Sequence, residues 1–116
     1  MPAVAAQVVE RLKTERLLSD ERFIESMIAA RQRRGYGPLR VRQELEKKGI
    51  PRETVEEWLD PRAREWITLL KEVRRKKFGV KQTKNYAERA KQARFLQGRG
   101  FTFDQIQQVL NARDID

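Results

Sequence analysis

The backbone breakers constrain this chain most, because they are few and their pattern is written twice. In 116 residues, glycine falls at 35, 37, 49, 79, 98 and 100, and proline at 2, 38, 51 and 61. The segments between them carry apolar residues at helical spacing among Glu, Lys, Arg, Gln, Leu and Ala, which are strong helix formers. No segment alternates like a half-buried strand for more than a few residues. The expected class is all-α.

The stripes place helices at Val4–Leu17 and at Glu21–Arg34, the latter capped by Ser19 or Asp20 with Phe23, Ile24, Met27, Ile28 and Ala30 inward. Gly35-Tyr36-Gly37 ends that helix, and Pro38 opens a third carrying Leu39, Val41 and Leu45. A short helix, Pro51–Asp60, presents Val55, Trp58 and Leu59. The next, Ala63–Phe78, sets Trp66, Ile67, Leu70 and Val73 on one stripe. Thr83–Gln97 follows, and Thr102 or Asp104 starts a last helix with Ile106, Val109 and Leu110. Both tryptophans belong to the core.

The repeat lies in the terminators. Tyr36-Gly37 matches Phe78-Gly79 at an offset of 42, whereas Gly49 matches Gly100, and Val55-Trp58-Leu59 matches Ile106-Val109-Leu110, at 51. The second unit therefore carries nine extra residues in or before its middle helix. Each unit is three helices, helix-turn-helix-like. The expected domains are 1–18, the last helix of a truncated first repeat, then 19–60 and 61–116. Such units bury their faces on one another, so the array is expected to be elongated and curved.

Charge follows the same period. The chain carries 26 Lys and Arg against 17 Asp and Glu, net +9. Residues 31–48 and 71–84 hold seven cations each, net +5 and +6, and residues 85–100 add +3, while 49–70 and 101–116 are each net −2. Cations at the end of a helix complement its dipole. Two clusters in register exceed that need and point to a polyanionic partner. Tyr36 and Phe78, each beside a helix-ending glycine, are more commonly core closures than stacking platforms.

Catalysis has little to work with. With no His and no Cys, zinc fingers, thiolate nucleophiles and His-based triads are excluded. No phosphate-cradling glycine motif occurs, and Glu53, Glu56 and Glu57 read as an exposed helix face rather than a metal site. No cofactor and no enzyme activity are expected. No apolar run approaches membrane-spanning length, so the expected protein is a cytoplasmic monomer without membrane contact. An alternative is a sequence-specific helix-turn-helix transcription factor, using the turns at Gly49 and Gly100. Its would-be recognition helix, Arg52 to Asp60, carries four acids against one arginine, which a phosphate-lined groove would repel. A scaffold repeat protein with no nucleic-acid role is a further alternative.

Three stretches carry a specific resemblance: Leu18-Ser-Asp-Glu-Arg-Phe23, Arg31-Gln-Arg-Arg-Gly-Tyr-Gly-Pro-Leu-Arg-Val-Arg-Gln-Glu-Leu45 and Lys48-Gly-Ile50. Together with Lys77-Phe-Gly79, Lys91-Gln-Ala-Arg-Phe-Leu96 and Arg99-Gly-Phe101, they resemble the RecX family of recombinase regulators, from about Val8 to Leu110. The resemblance implies tandem three-helix repeats and a non-enzymatic modulator of RecA. Such a protein would lie in the groove of the RecA–DNA filament and impede recombination, ATP turnover and co-protease activity in the SOS response. It would touch single- and double-stranded DNA without reading sequence. The residues expected to meet RecA or DNA are Arg31, Arg33, Arg34, Tyr36, Arg40, Arg42, Lys47 and Lys48 in one unit. In the next they are Arg74, Arg75, Lys76, Lys77, Arg94 and Arg99.

Overall fold

A computed structural model describes residues 20–111. The expected helix at Val4–Leu17 and the capping role of Ser19 lie outside them. The described residues form six helices and no strand, an elongated body of 44 × 19 × 19 Å. The helices are α1 (residues 20–33), α2 (Pro38–Lys47), α3 (Arg52–Trp58), α4 (Arg64–Phe78), α5 (Tyr86–Gly98) and α6 (Phe103–Leu110). None of them is long and apolar enough to cross a membrane.

Local chemistry sets the boundaries. Pro38 occupies the first turn of α2, where its missing N–H costs nothing. The side chain of Asn85 caps α5 by accepting from the Glu88 amide. Thr102 and Gln105 form a reciprocal capping box on α6, each side chain bonding the other's backbone N–H. Three helices end in the same motif. At the end of α1, Gly35 N–H donates to Gln32 O (2.9 Å) and Tyr36 N–H to Arg31 O (3.0 Å). Gly49 and Ile50 repeat this on α2, and Gly100 and Phe101 on α5.

This corrects the repeat register. The left-handed residue that ends the long helix is Gly35 in one unit and Gly79 in the other, with φ of +80° and +88°. Gly37 is extended (φ −86°) and belongs to the start of α2. Tyr36 therefore lies beyond its helix, whereas Phe78 is the last residue of α4. With Gly35 aligned to Gly79, the terminators stand 14 and 21 residues apart, so the extra length is seven residues rather than nine. It resides in the longer 79–85 connection and the longer α5.

Two apolar cores lie along the body. Ile24, Val41, Leu45, Ile50, Val55, Leu59 and Trp66 form the first; Leu70, Leu96, Phe101, Ile106, Val109 and Leu110 form the second. Trp58 packs against the first while half-buried, and Phe23, expected inward, is exposed. Helix α4 serves both cores. Trp66 points into the first, Leu70 into the second, and Leu69 touches each. The stripe that looked continuous in sequence is thus divided between two neighbours.

Candidate functional site

The joint between the two cores is made of backbone. Gly37 N–H donates to Arg99 O (2.7 Å) and Leu39 N–H to Gly100 O (2.9 Å), so the first turn of α2 is hydrogen-bonded to the end of α5. The approach requires glycine. A Cβ on Gly37 would lie 2.5 Å from the Gly100 carbonyl carbon, and one on Gly100 would lie 2.5 Å from Arg40 Cβ. Arg99 also donates from Nη1 to Arg34 O at 3.1 Å. The turn at Gly100 is buried in this joint.

Because of the joint, cations far apart in sequence meet. A groove of about 260 Å³ opens between the ends of α1, α4 and α5. Arg33 and Arg34 come from α1's end, Lys76 and Lys77 from the last turns of α4, and Arg99 from the end of α5. Its apolar surface is Leu69, Val73 and Phe95, with Gly35 letting α1 come within reach of α4. Against five cations the groove holds one carboxylate, Glu72.

That carboxylate is already engaged. Arg75 donates to both Glu72 oxygens, at 2.6 and 3.1 Å, and Lys76 Nζ stands 3.9 Å away. The hydrogen bond from Arg75 holds Glu72 below the usual glutamate range, and Glu72 in turn raises Arg75. Among the described residues, Arg33, Arg34, Lys77 and Arg99 form no ion pair. Their charge is available to a ligand.

The other expected contacts have different surroundings. Arg31 is paired with Glu44 at 2.5 Å, and Arg40 stands 3.8 Å from the same carboxylate. Tyr36 is half-buried, and the guanidinium carbons of Arg40 and Arg99 stand 4.0 and 5.1 Å from its ring centre. It is neither a core residue nor an open platform. Lys47 joins Arg40 along a separate depression beside α5, Lys48 and Arg94 are exposed, Arg42 is half-buried, and none of the four lines the groove.

Arg74 departs most from expectation. It is only 6% exposed. Its Nε donates to Gln92 Oε1 at 2.9 Å and its Nη2 to Gln82 Oε1 at 3.0 Å. Burial pushes its pKa down from the ordinary arginine value. Its guanidinium is spent on fastening α5 and the 79–85 connection to α4, which takes it off the contact surface. Gln92 and Phe95 belong to the Lys91–Leu96 stretch quoted above, but neither they nor Gln82 were expected at the site. Phe95 and Phe78 form a T-shaped pair, centroids 5.4 Å apart; Phe78 is half-buried and meets the second core through Phe95 rather than lying within it.

The chain matches two domain descriptions: "RecX, second three-helix domain" over residues 19–59 and "RecX, third three-helix domain" over residues 64–110. It is 39% identical over 115 residues to a regulatory protein RecX of Pseudomonas tolaasii, covering 99% of this chain and 74% of that protein. A regulatory protein RecX of Salmonella newport is 44% identical over 92 residues, 79% of this chain and 55% of its own length.

Proposed function

The chain belongs to the RecX family of regulatory proteins, and on that premise we propose that it restrains RecA by lying in the groove of the RecA–DNA filament. The observation that carries this reading is the convergence of Arg33, Arg34, Lys76, Lys77 and Arg99 on one side of an elongated body. A narrow helical rod can follow a helical groove, and clustered cations favour an acidic filament surface or its phosphates. Impeding filament extension or ATP turnover then follows from occupying the groove, with no chemistry by the chain itself.

In this reading the contact face is Arg33, Arg34, Lys76, Lys77 and Arg99, flanked by Arg31, Tyr36, Arg40, Arg42, Lys47, Lys48, Arg75 and Arg94. Arg74 supports the face from within. DNA contacts are to backbone and independent of sequence, the chain acts as a monomer, and it works in the cytoplasm where RecA does. Division of the chain at residues 60–61 is part of the same proposal.

The test is co-sedimentation with preformed RecA filaments, with and without DNA, at two salt concentrations. The proposal expects co-sedimentation that weakens as salt rises. No association with filaments at low salt would remove it. Preference for one duplex sequence over unrelated DNA would favour the transcription-factor alternative.

A further inference from the structure

We propose that the groove between α1, α4 and α5 seats an acidic peptide segment of a protein partner, with an apolar side chain on the groove's apolar surface and flanking carboxylates on its cations. This rests on the filament reading above and assigns this part of the contact face to protein rather than to DNA.

Three observations separate the two occupants. First, single-stranded nucleic acid is held by cations together with open aromatic faces on which bases stack. Here the approaches to Phe95 are taken by Lys77 and Arg99, 5.4 and 5.2 Å from its ring centre, while Phe78 sits against its side. Tyr36 is likewise occupied by Arg40 and Arg99. Among the described residues, the one aromatic ring that lines the groove, Phe95, thus already carries two cations. Second, Glu72 stands in the groove wall as a carboxylate kept ionised by Arg75. A strand whose every repeat bears a phosphate would pass close to it, whereas a peptide can set its acids on either side. Third, the cavity of about 260 Å³ lies just below the ~300 Å³ at which small-molecule pockets begin. It is lined by Leu69 and Val73 as well as by charge. That space suits one large apolar side chain. The guanidiniums of Arg33, Arg34 and Arg99 can grip carboxylates in forked pairs.

Fluorescence anisotropy on the full chain tests this with three labelled probes. They are a short Asp/Glu-rich peptide with a central Leu-Phe pair, the same peptide with Ser in place of Leu and Phe, and a mixed-sequence single-stranded oligonucleotide. The anchored peptide is expected to bind at least about tenfold tighter than the Ser peptide. It should lose at least about tenfold in the Arg33→Glu/Lys77→Glu double variant and change less than about twofold in Arg52→Glu/Arg62→Glu. The oligonucleotide should not displace it. Circular dichroism checks that each variant keeps its helices. Equal binding of the two peptides, or displacement by the oligonucleotide, overturns the assignment. If Arg33→Glu/Lys77→Glu loses filament binding while no peptide binds, the peptide assignment falls and the filament reading stands. Peptide binding with filament binding unaffected by that variant supports the groove's chemistry and removes the groove from the filament contact face.

Discussion

Replacing Gly100 by alanine should cost far more than replacing Gly49, although the two glycines end equivalent helices with the same hydrogen-bond motif. Both hold a positive φ, +98° and +90°, so both substitutions incur the left-handed penalty of about 1–2 kcal/mol. At Gly49 that is the whole cost, because a Cβ there meets nothing within 4 Å. At Gly100 the methyl would lie 2.5 Å from Arg40 Cβ and 2.8 Å from Arg40 N, and α2 must retreat. Retreat weakens the Gly37–Arg99 and Leu39–Gly100 hydrogen bonds, each worth about 0.5–1.5 kcal/mol net. The sum for Gly100→Ala is about 2–5 kcal/mol. Gly37→Ala isolates the second part, since its φ of −86° is ordinary for any residue. It should cost about 1–3 kcal/mol and combine less than additively with Gly100→Ala. Urea denaturation of the single and double variants measures all three. Equal destabilisation by Gly49→Ala and Gly100→Ala would refute the claim that the inter-unit joint depends on this close approach.

Other substitutions separate support from contact. Arg74→Ala removes the guanidinium from which Gln92 and Gln82 accept and leaves the buried Gln92 oxygen unsatisfied; it should destabilise by about 1–3 kcal/mol in the same denaturation assay. Arg74→Lys should not restore the loss, because one ammonium cannot reach both glutamines as the fork does. Thr102→Ala, which removes the capping box of α6, should cost about 1 kcal/mol. In an NMR titration Glu72 should finish protonating at lower pH than an ordinary glutamate, and Arg75→Gln should bring it back toward the ordinary value. Its folded pKa is depressed, so its small contribution to stability is present above the unfolded value and fades as pH falls through the folded one.

Helices were legible in the chain because apolar spacing and terminators agree; the last helix begins at Thr102, one of the two starts the sequence offered. The repeat was legible for the same reason. Its register was not, because Gly35 and Gly37 are two residues apart and only three-dimensional contact tells them apart. One turns the chain left-handed, and the other lies against Gly100. Arg74 looked like its neighbours Arg75, Lys76 and Lys77, yet the spacing of Trp66, Leu70 and Arg74 continues one buried row at four-residue intervals. That signal was present in the sequence. The merging of two basic clusters into one groove was not readable, since it depends on α4 serving two cores and on a joint between residues 37–40 and 99–100.

The central claim is that these clusters act together at one place, rather than through net charge. Filament binding by three double charge reversals tests it directly: Arg33→Glu/Arg34→Glu, Lys76→Glu/Lys77→Glu and Arg52→Glu/Arg62→Glu. All three change the net charge equally. The account predicts that the first two each weaken binding to RecA filaments at least about tenfold at low salt, while the third stays within about twofold. Equal losses in all three would show that overall charge alone drives association, and would contradict the account.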